Sequence, residues 1–379
     1  EALADAGDHR RGTVDRPRVG AVFGNLGFPS GGLTEFAESV WHGEPQGPHP
    51  LNRFFASGAA TIVQQALGLA PGATCLDTAC ASSLYAIKLA CDQLHDGEVD
   101  LVLAGAVNRA DDLFIHVGFT TLNAMSRSGQ SRPFNADADG LVPAEGAGFV
   151  ALKRLADARR DGDHIYGILR GIGLSNDGRS GGFLAPSEAG QRRALEQAYE
   201  QAGLSPADIS LLECHATGTS VGDAAEIHST GALFEGLQGV PVGSLKSNMG
   251  HLITAAGVAG LIKVLEAIRH RQRPPSLHAD PPNPALAESP FRVLADAEPW
   301  DCPGPRIAGV SAFGFGGNNA HLLVSEDDDA VQTPGLAPVE RTTLAIVGVG
   351  TVVGAATDRP AFVRALLDGA SLVGANGAM

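Results

Sequence analysis

Short apolar runs that alternate with amphipathic stretches set the strongest limit on what this chain can fold into. Residues 19–24 read Val-Gly-Ala-Val-Phe-Gly, and residues 99–106 read Val-Asp-Leu-Val-Leu-Ala-Gly-Ala. Strands this continuously apolar need cover on both faces, the condition of a mostly parallel sheet packed between helices. Between the two runs, residues 82–97 hold the small and apolar residues of a helix ending near Gly97, so the region reads as a strand-helix-strand unit. A Pro71-Gly72 turn and a short extended run precede it, an Ala-rich helix is expected at 52–69, and a short helical pattern lies at 33–40.

Further along, residues 126–139 are polar with Gly and Pro and read as a long surface loop, followed by a strand at 146–152 and a charged connector at 153–163. The same grammar then recurs. A strand is expected at 165–174, then a helix at 188–203 with Leu195, Ala198, Tyr199 and Ala202 on one stripe, a strand at 209–214 and a helix at 223–233. A short strand at 240–244, a long helix at 251–271 and strands at 292–294, 307–313 and 320–325 complete it. Two similar alternating halves predict an internally duplicated, layered α/β protein.

Composition excludes several functions. A formal net charge of −15, with no basic stripe interleaved with aromatics, argues against nucleic acid and acidic membranes as partners. No apolar run approaches the ~18 residues of a membrane span, and the first residues do not form a signal peptide, so a cytoplasmic location is expected. Cys75, Cys80, Cys91, Cys214 and Cys302 are odd in number and form no C-x-x-C pair, so neither a disulfide framework nor a metal site is expected.

Chemistry concentrates where strands end. In residues 76–85, Leu-Asp-Thr-Ala-Cys-Ala-Ser-Ser-Leu-Tyr, an extended run delivers Cys80 to a corner at the start of a helix. There the thiol meets the first unpaired N–H groups and the positive end of the helix dipole, which favour a thiolate. The bland alternative is a packing cysteine, the reading that suits Cys91. Residues 214–219, Cys-His-Ala-Thr-Gly-Thr, bring His215, with Asp223 just beyond; residues 243–251 bring Lys246 and His251. Two imidazoles near a thiol can steer charge that develops on carbonyl or carboxylate oxygens. Lys246 either holds a neighbour in register or is a solvated lysine, and Thr217 and Thr219 either face one cleft or are ordinary strand-end threonines. Residues 311–321, Ser-Ala-Phe-Gly-Phe-Gly-Gly-Asn-Asn-Ala-His, place glycines around Phe315. A backbone N–H there, with that of Cys80, could form an oxyanion hole; the alternative is a tight turn between core strands. The sum reads as acyl transfer through a cysteine nucleophile.

The segments DTACASS around Cys80, HATGT from His215, KSNMGH from Lys246 to His251 and FGFGGNNAH from Phe313 resemble the ordered signature of the β-ketoacyl synthases, or ketosynthases, of the condensing-enzyme family. The resemblance runs from about Gly20 to Ser325. It implies a thiolase-like fold, a duplicated five-layer αβαβα architecture, found as a homodimer. It also implies decarboxylative Claisen condensation in polyketide or fatty acid biosynthesis: Cys80 accepts an acyl chain from the phosphopantetheine thioester of an acyl carrier protein, and the enolate of a decarboxylated malonyl thioester then attacks it. His215 and His251 would assist decarboxylation and stabilise the enolate, and Lys246 would orient them. Thr217 and Thr219 would bind the phosphopantetheine arm, with Phe313 and Phe315 at the acyl pocket. Glu145 and Asp223 would be structural supports. No cofactor of the domain's own is implied, since phosphopantetheine arrives on the carrier protein.

A Cys-His-His set separates the chain from relatives that use Cys-His-Asn, from thiolases with their second cysteine, and from chain-length factors, which lack the nucleophile. Residues 85–92 and 173–178 look most like iterative modular synthases of polyunsaturated fatty acids or enediyne polyketides. The family's usual opening strand and helix are not found at the front; a similar segment lies at 344–369. The expected organisation is therefore a ketosynthase domain at 1–326, a linker at 327–341, and at 342–379 either the start of a second synthase-like domain or a displaced opening segment. A non-elongating module that only binds, transfers or decarboxylates carrier-bound acyl groups is the alternative function.

Overall fold

The computed structural model describes residues 2–6, 18–27, 58–70, 72–109, 113–179, 185–328, 330–331, 343 and 345–372. They fall into two compact units, Glu1–Thr333 and Pro334–Met379, each described by itself. The helical pattern expected at 33–40 and the first part of the helix expected at 52–69 lie outside the described residues.

The first unit is built on two sheets. After α1 (Ala2–Asp5), β1 (Val19–Gly24), α2 (Gly58–Leu67), β2 (Ala73–Leu76), α3 (Ser82–His95), β3 (Leu101–Asn108), α4 (Leu113–Thr121) and β4 (Gly146–Leu152) make up the first half. The strand order is β2-β1-β3-β4, parallel except for the antiparallel β3–β4 pair. The second half comprises α5 (Leu155–Asp161), β5 (Ile168–Asn176), α6 (Glu188–Ala202), β6 (Leu211–Glu213), α7 (Ser220–Leu233), β7 (Val240–Gly243), the single-turn α8 (Lys246–Met249) and α9 (Ala256–His270). It ends with the short β8 (Gln272–Arg273), β9 (Phe291–Val293), β10 (Glu298–Pro299), β11 (Ile307–Gly314) and β12 (Asn318–Ser325). Its main sheet runs β5-β12-β11-β6-β7-β9.

The alternation of side chains within these buried strands places the layers. On β1 and β3, Val22, Val102 and Ala104 join one core cluster with α3 and α9, whereas Val19, Phe23, Leu101 and Leu103 join another with Ala60 of α2. On the second sheet, Val310, Leu322 and Val324 face that same α3–α9 layer, while Leu212, Val242 and Leu323 pack with Leu195 and Tyr199 of α6 and Ile227 of α7. The order is therefore helix, sheet, helix pair, sheet, helix pair: the five-layer architecture that the family resemblance implies. The central helices cross closely at Gly257, where an added Cβ would lie 2.7 Å from Leu84 Cγ.

Three expectations need correction. The charged connector at 153–163 contains the helix α5, held at its entrance by Arg154, whose guanidinium bonds Asp157, Asp100 and the carbonyls of Leu94 and Val99. Helix α4 lies in a stretch where the sequence showed no element. The long helix expected from residue 251 begins at Ala256, because Ile253, at φ 46°, breaks the helical path. In the second unit, α10 (Arg359–Leu367) matches the expected helix and is capped by Asp358, which accepts the Ala361 N–H at 2.7 Å. The strand expected from 344 does not form over the described residues 345–350, where Ile346 is 89 % and Val347 97 % exposed. A strand is stabilised by its ladder, and these residues have no ladder partner among the described residues.

Candidate active site

The corner between β2 and α3 is braced by its own side chains. Asp77 Oδ1 accepts the Ala79 N–H at 2.9 Å, Ser82 Oγ accepts the Thr78 N–H at 2.9 Å, and the Ser82 hydroxyl donates to the Ala79 carbonyl at 2.6 Å. This bracing holds Ala79 at φ 53°, a left-handed backbone that a non-glycine residue adopts at a cost of about 1 kcal/mol or more. The next residue is Cys80, 3 % exposed, in the 3₁₀ turn Ala79–Ala81 that leads into α3.

His251 reaches the same point from the turn after α8. Its backbone is gripped on both sides by residues 142–144: its N–H donates to Val142 O at 2.7 Å and its carbonyl accepts from the Ala144 N–H at 2.9 Å. Nε2 lies 3.1 Å from Cys80 Sγ, and the Ile253 N–H points at Nδ1 from 3.3 Å. A ring nitrogen that faces a donor must be the acceptor, so the proton sits on Nε2 and is directed at the sulfur. His251 is therefore a donor to the Cys80 sulfur rather than an acceptor from it.

His215 follows β6 and Cys214. Its backbone N–H and that of Ala216 donate to the two oxygens of Glu226 on α7, each at 2.7 Å. One turn earlier on the same helix, Asp223 accepts from Thr217 at 3.0 Å, Gly218 at 3.2 Å and Phe134 at 2.9 Å. Two carboxylates on one helical face thus fold the loop after β6 and aim the ring, which meets the His251 ring edge-on at 5.4 Å and Phe313 at 5.8 Å. The His215 Nδ1 is buried with no hydrogen-bond partner among the described residues, a cost that a substrate group would relieve. The Thr217 and Thr219 hydroxyls lie 3.1 Å apart, within hydrogen-bond reach of each other.

Phe315 sits at the turn between β11 and β12, half-buried and 5.5 Å from the Phe119 ring. Gly316 and Gly317 make the turn at φ 80° and 78°, and Asn176 Nδ2 and the Asp177 N–H hold their carbonyls at 3.1 and 2.9 Å. Gly314 lets β11 reach the Cys80 turn: an added Cβ would lie 3.1 Å from the Cys80 nitrogen. The backbone N–H groups of Phe315 and Cys80 both act on the Cys80 sulfur, the pair expected for an oxyanion hole.

The electrostatics reverse one expectation. Burial pushes the Cys80 thiol up to about 12, and the Lys246 charge with the N–H groups of Phe315 and Cys80 offsets only part of this. Desolvation outweighs the helix dipole, and the resting sulfur is a thiol. Burial, reinforced by Lys246, also holds His215 and His251 well below the usual imidazole range, so both rings are neutral. Lys246 is 5 % exposed, which excludes the solvated-lysine reading; burial lowers it, opposed by Glu213 first and then Glu226.

Glu145 is not the support that was expected. It is exposed, and its carboxylate makes no hydrogen bond or ion pair among the described residues; the backbone of 142–144 holds His251 instead. Glu226, the partner of His215, was missed, although an Asp-x-x-Glu spacing on the helix after HATGT was there to read. Cys80, His215 and His251 also place ligand atoms within 4.8 Å of one another, with the softness zinc prefers. A metal would need the Nε2 lone pair of His251 and an acceptor beyond Nδ1, whereas Ile253 offers Nδ1 a donor. The set does not fit a resident metal.

Known proteins share this arrangement of sequence and fold. The family model described as "Beta-ketoacyl synthase, N-terminal domain" matches residues 1–158, and that described as "Beta-ketoacyl synthase, C-terminal domain" matches residues 166–280. The phenolphthiocerol synthesis polyketide synthase type I Pks15/1 of Mycobacterium bovis is 43 % identical over 294 residues, 75 % of this chain and 14 % of that one. Polyketide synthase ThaG of Burkholderia thailandensis is 40 % identical over 86 % of this chain and 6 % of its own length, so the chain spans only a small part of these relatives. Among solved structures, the ketosynthase from module 6 of the bacillaene synthase of Bacillus subtilis matches with a TM-score of 0.76 and 35 % identity, over 86 % of this chain and 57 % of that one. The PfaC ketosynthase–chain length factor matches with a TM-score of 0.80 and 35 % identity, over 93 % of this chain and 40 % of that one. By its matched halves and its thiolase-like fold, the chain belongs to the β-ketoacyl synthase family of condensing enzymes.

Proposed function

We propose that this domain joins an acyl chain held on Cys80 to the two-carbon unit of a malonyl thioester, both delivered on the phosphopantetheine arm of an acyl carrier protein within a multidomain synthase. The observation that carries the reading is the contact between His251 Nε2–H and Cys80 Sγ, at 3.1 Å in a site with a second neutral imidazole and a buried cation. In the first half-reaction the Sγ–H bond breaks as Sγ bonds the acyl carbon, and the proton leaves on the departing phosphopantetheine sulfur. The N–H groups of Phe315 and Cys80 receive the oxyanion, each worth roughly 100-fold or more in rate. In the second, the malonyl C–C bond breaks to release carbon dioxide, and the enolate oxygen takes N–H donors from His215 and His251. Its carbon attacks the acyl thioester, the bond between Sγ and the acyl carbon breaks, and Cys80 leaves as a thiolate that takes one proton from solvent. Lys246 favours every anionic stage without touching the carbon centre.

Thr217 and Thr219 suit the amide-bearing arm, and the Phe315–Phe119 pair suits a gate to the acyl chain. A homodimer is supported by β2, which ends its sheet with no strand on its outer side among the described residues. The net charge of −15 disfavours nucleic acid, and no helix among the described residues is long and apolar enough to cross a membrane. Residues 342–379 suit the opening of a second synthase-like domain, a reading supported by the PfaC likeness over 93 % of the chain.

Incubation with acyl and malonyl carrier proteins tests the reaction. Wild type is expected to form the β-ketoacyl product. Cys80→Ala should lose condensation and the covalent acyl adduct, and His215→Ala should lose decarboxylation by ~100-fold or more. Product formation unchanged in both variants would sink the catalytic reading, and adduct formation without a new carbon–carbon bond would favour the non-elongating alternative.

A further inference from the structure

One carboxylate near the site belongs to none of the motifs read from the sequence. Glu213 is the last residue of β6, two before His215, and its side chain is 4 % exposed. Its Oε2 lies 2.6 Å from Nζ of Lys263 on α9, itself 10 % exposed. Its Oε1 accepts the backbone N–H of Leu245 at 2.6 Å, the residue before Lys246. The surrounding seat is closed by small residues: an added Cβ at Gly260 would lie 2.9 Å from Glu213 Cγ, and one at Gly243 would lie 3.4 Å from Lys263 Nζ.

Three segments thus meet on one side chain: the strand leading to His215, the turn holding Lys246, and the helix that follows the His251 loop. We infer that the Glu213–Lys263 ion pair is a positioning device for the condensing site, fixing the Lys246 turn against the His215 strand. Simple stabilisation does not account for it, because a buried ion pair recovers its desolvation cost poorly and an apolar pair of similar volume is often as stable. The ladder pairs Leu212↔Val242 and Glu213↔Gly243 already join β6 to β7 without it. Its placement also has an electrostatic consequence. The groups that act on Lys246 are Glu213 on β6, Glu226 and Asp223 on α7, and Cys80, and of these Glu213 does most to keep the ammonium charged. His215 and His251 face it as neutral rings, and Lys263 lies on the far oxygen of Glu213.

The inference rests on the proposed condensing reaction, and its test separates the two. In the intact chain, Glu213→Gln and the double variant Glu213→Gln/Lys263→Met would be compared with wild type by thermal melting, by malonyl-carrier decarboxylation, and by the pH profile of Cys80 alkylation with iodoacetamide. The double variant is expected to melt like wild type, since a neutral pair replaces a buried charged one. Its decarboxylation should fall by ~10-fold or more through misplacement of Lys246. With the carboxylate gone, Lys246 releases its proton more easily and favours the Cys80 thiolate less, so the alkaline rise of the alkylation profile moves to higher pH, as it also should in Glu213→Gln. A double variant with wild-type rates and profiles overturns the inference; so does one that loses its fold, which would make the pair a support of the core alone. If Cys80→Ala leaves condensation intact, it is the reaction assignment that fails, and the alkylation profile still decides the role of the pair.

Discussion

Glu226 shows how the surroundings of Cys80 are arranged by groups that never touch the thiol. Burial raises its carboxyl to about 7, only partly opposed by the N–H groups of His215 and Ala216. Both oxygens must accept for the His215 loop to hold, so proton uptake as the pH falls through that value leaves a donor facing a donor. Activity is expected to show an acid limb near this point, and Glu226→Gln, which carries such a donor at every pH, should lower the rate by ~10-fold to 100-fold and flatten that limb. The stability sign is opposite. The folded-state value lies above the ordinary 4.5, so the folded chain takes up a proton in that window that the unfolded chain does not. This group's contribution to stability therefore falls as the pH rises from about 4.5 to about 7. Melting curves of wild type and Glu226→Gln across the window should converge at the acid end and separate above it, with wild type the less stable. A constant difference would assign the loss of activity to packing.

Among elements, α3 and α9 decide whether the two halves of the site meet. The Val258 N–H at the start of α9 donates to Ser83 Oγ on α3 at 3.0 Å, and Gly257 admits the close crossing. Gly257→Val is expected to cost ~1–3 kcal/mol, because its Cβ would meet Leu84 and Ser83, and to lower activity with stability by parting Cys80 from His251. Denaturant unfolding followed beside decarboxylation would check that the two fall together. These elements were legible where a pattern existed. The runs at 19–24 and 307–313 became β1 and β11 because each strand is buried on both sides, the run at 146–152 became the edge strand β4 by pairing with β3, and α6 formed because its apolar stripe faces a sheet. Helix α4, Leu-Phe-Ile-His-Val-Gly-Phe-Thr-Thr, is apolar nearly all round and offers no period to read. Helix α5 was hidden by charge, since Arg-Arg-Asp resembles a connector until Arg154 and Asp157 are seen bonded to each other. Site residues with a hydrogen-bonding motif were visible, and those acting through the backbone, Glu226 and Glu213, were not.

For the molecule as a whole, every described strand of both sheets lies between residues 19 and 325. A chain ending at Thr333 is therefore expected to melt in the same transition as the full chain, and a drop in its midpoint would revive the displaced-segment alternative for residues 342–379. The duplicated architecture was readable because it is a statistical property of the whole pattern. What it does to the thiol was not, because desolvation depends on every layer around the site at once. Here the neutrality of Cys80, His215 and His251 has a further consequence. A thiol kept protonated in a buried recess has little standing reactivity to waste on passing electrophiles near neutral pH; in the proposed reaction it becomes reactive as a bound thioester offers its departing sulfur as the place for the proton. Discrimination is then exercised in time as well as in shape, and near neutral pH a small electrophile of the right size finds the cysteine slow, reacting readily only as rising pH ionises the thiol.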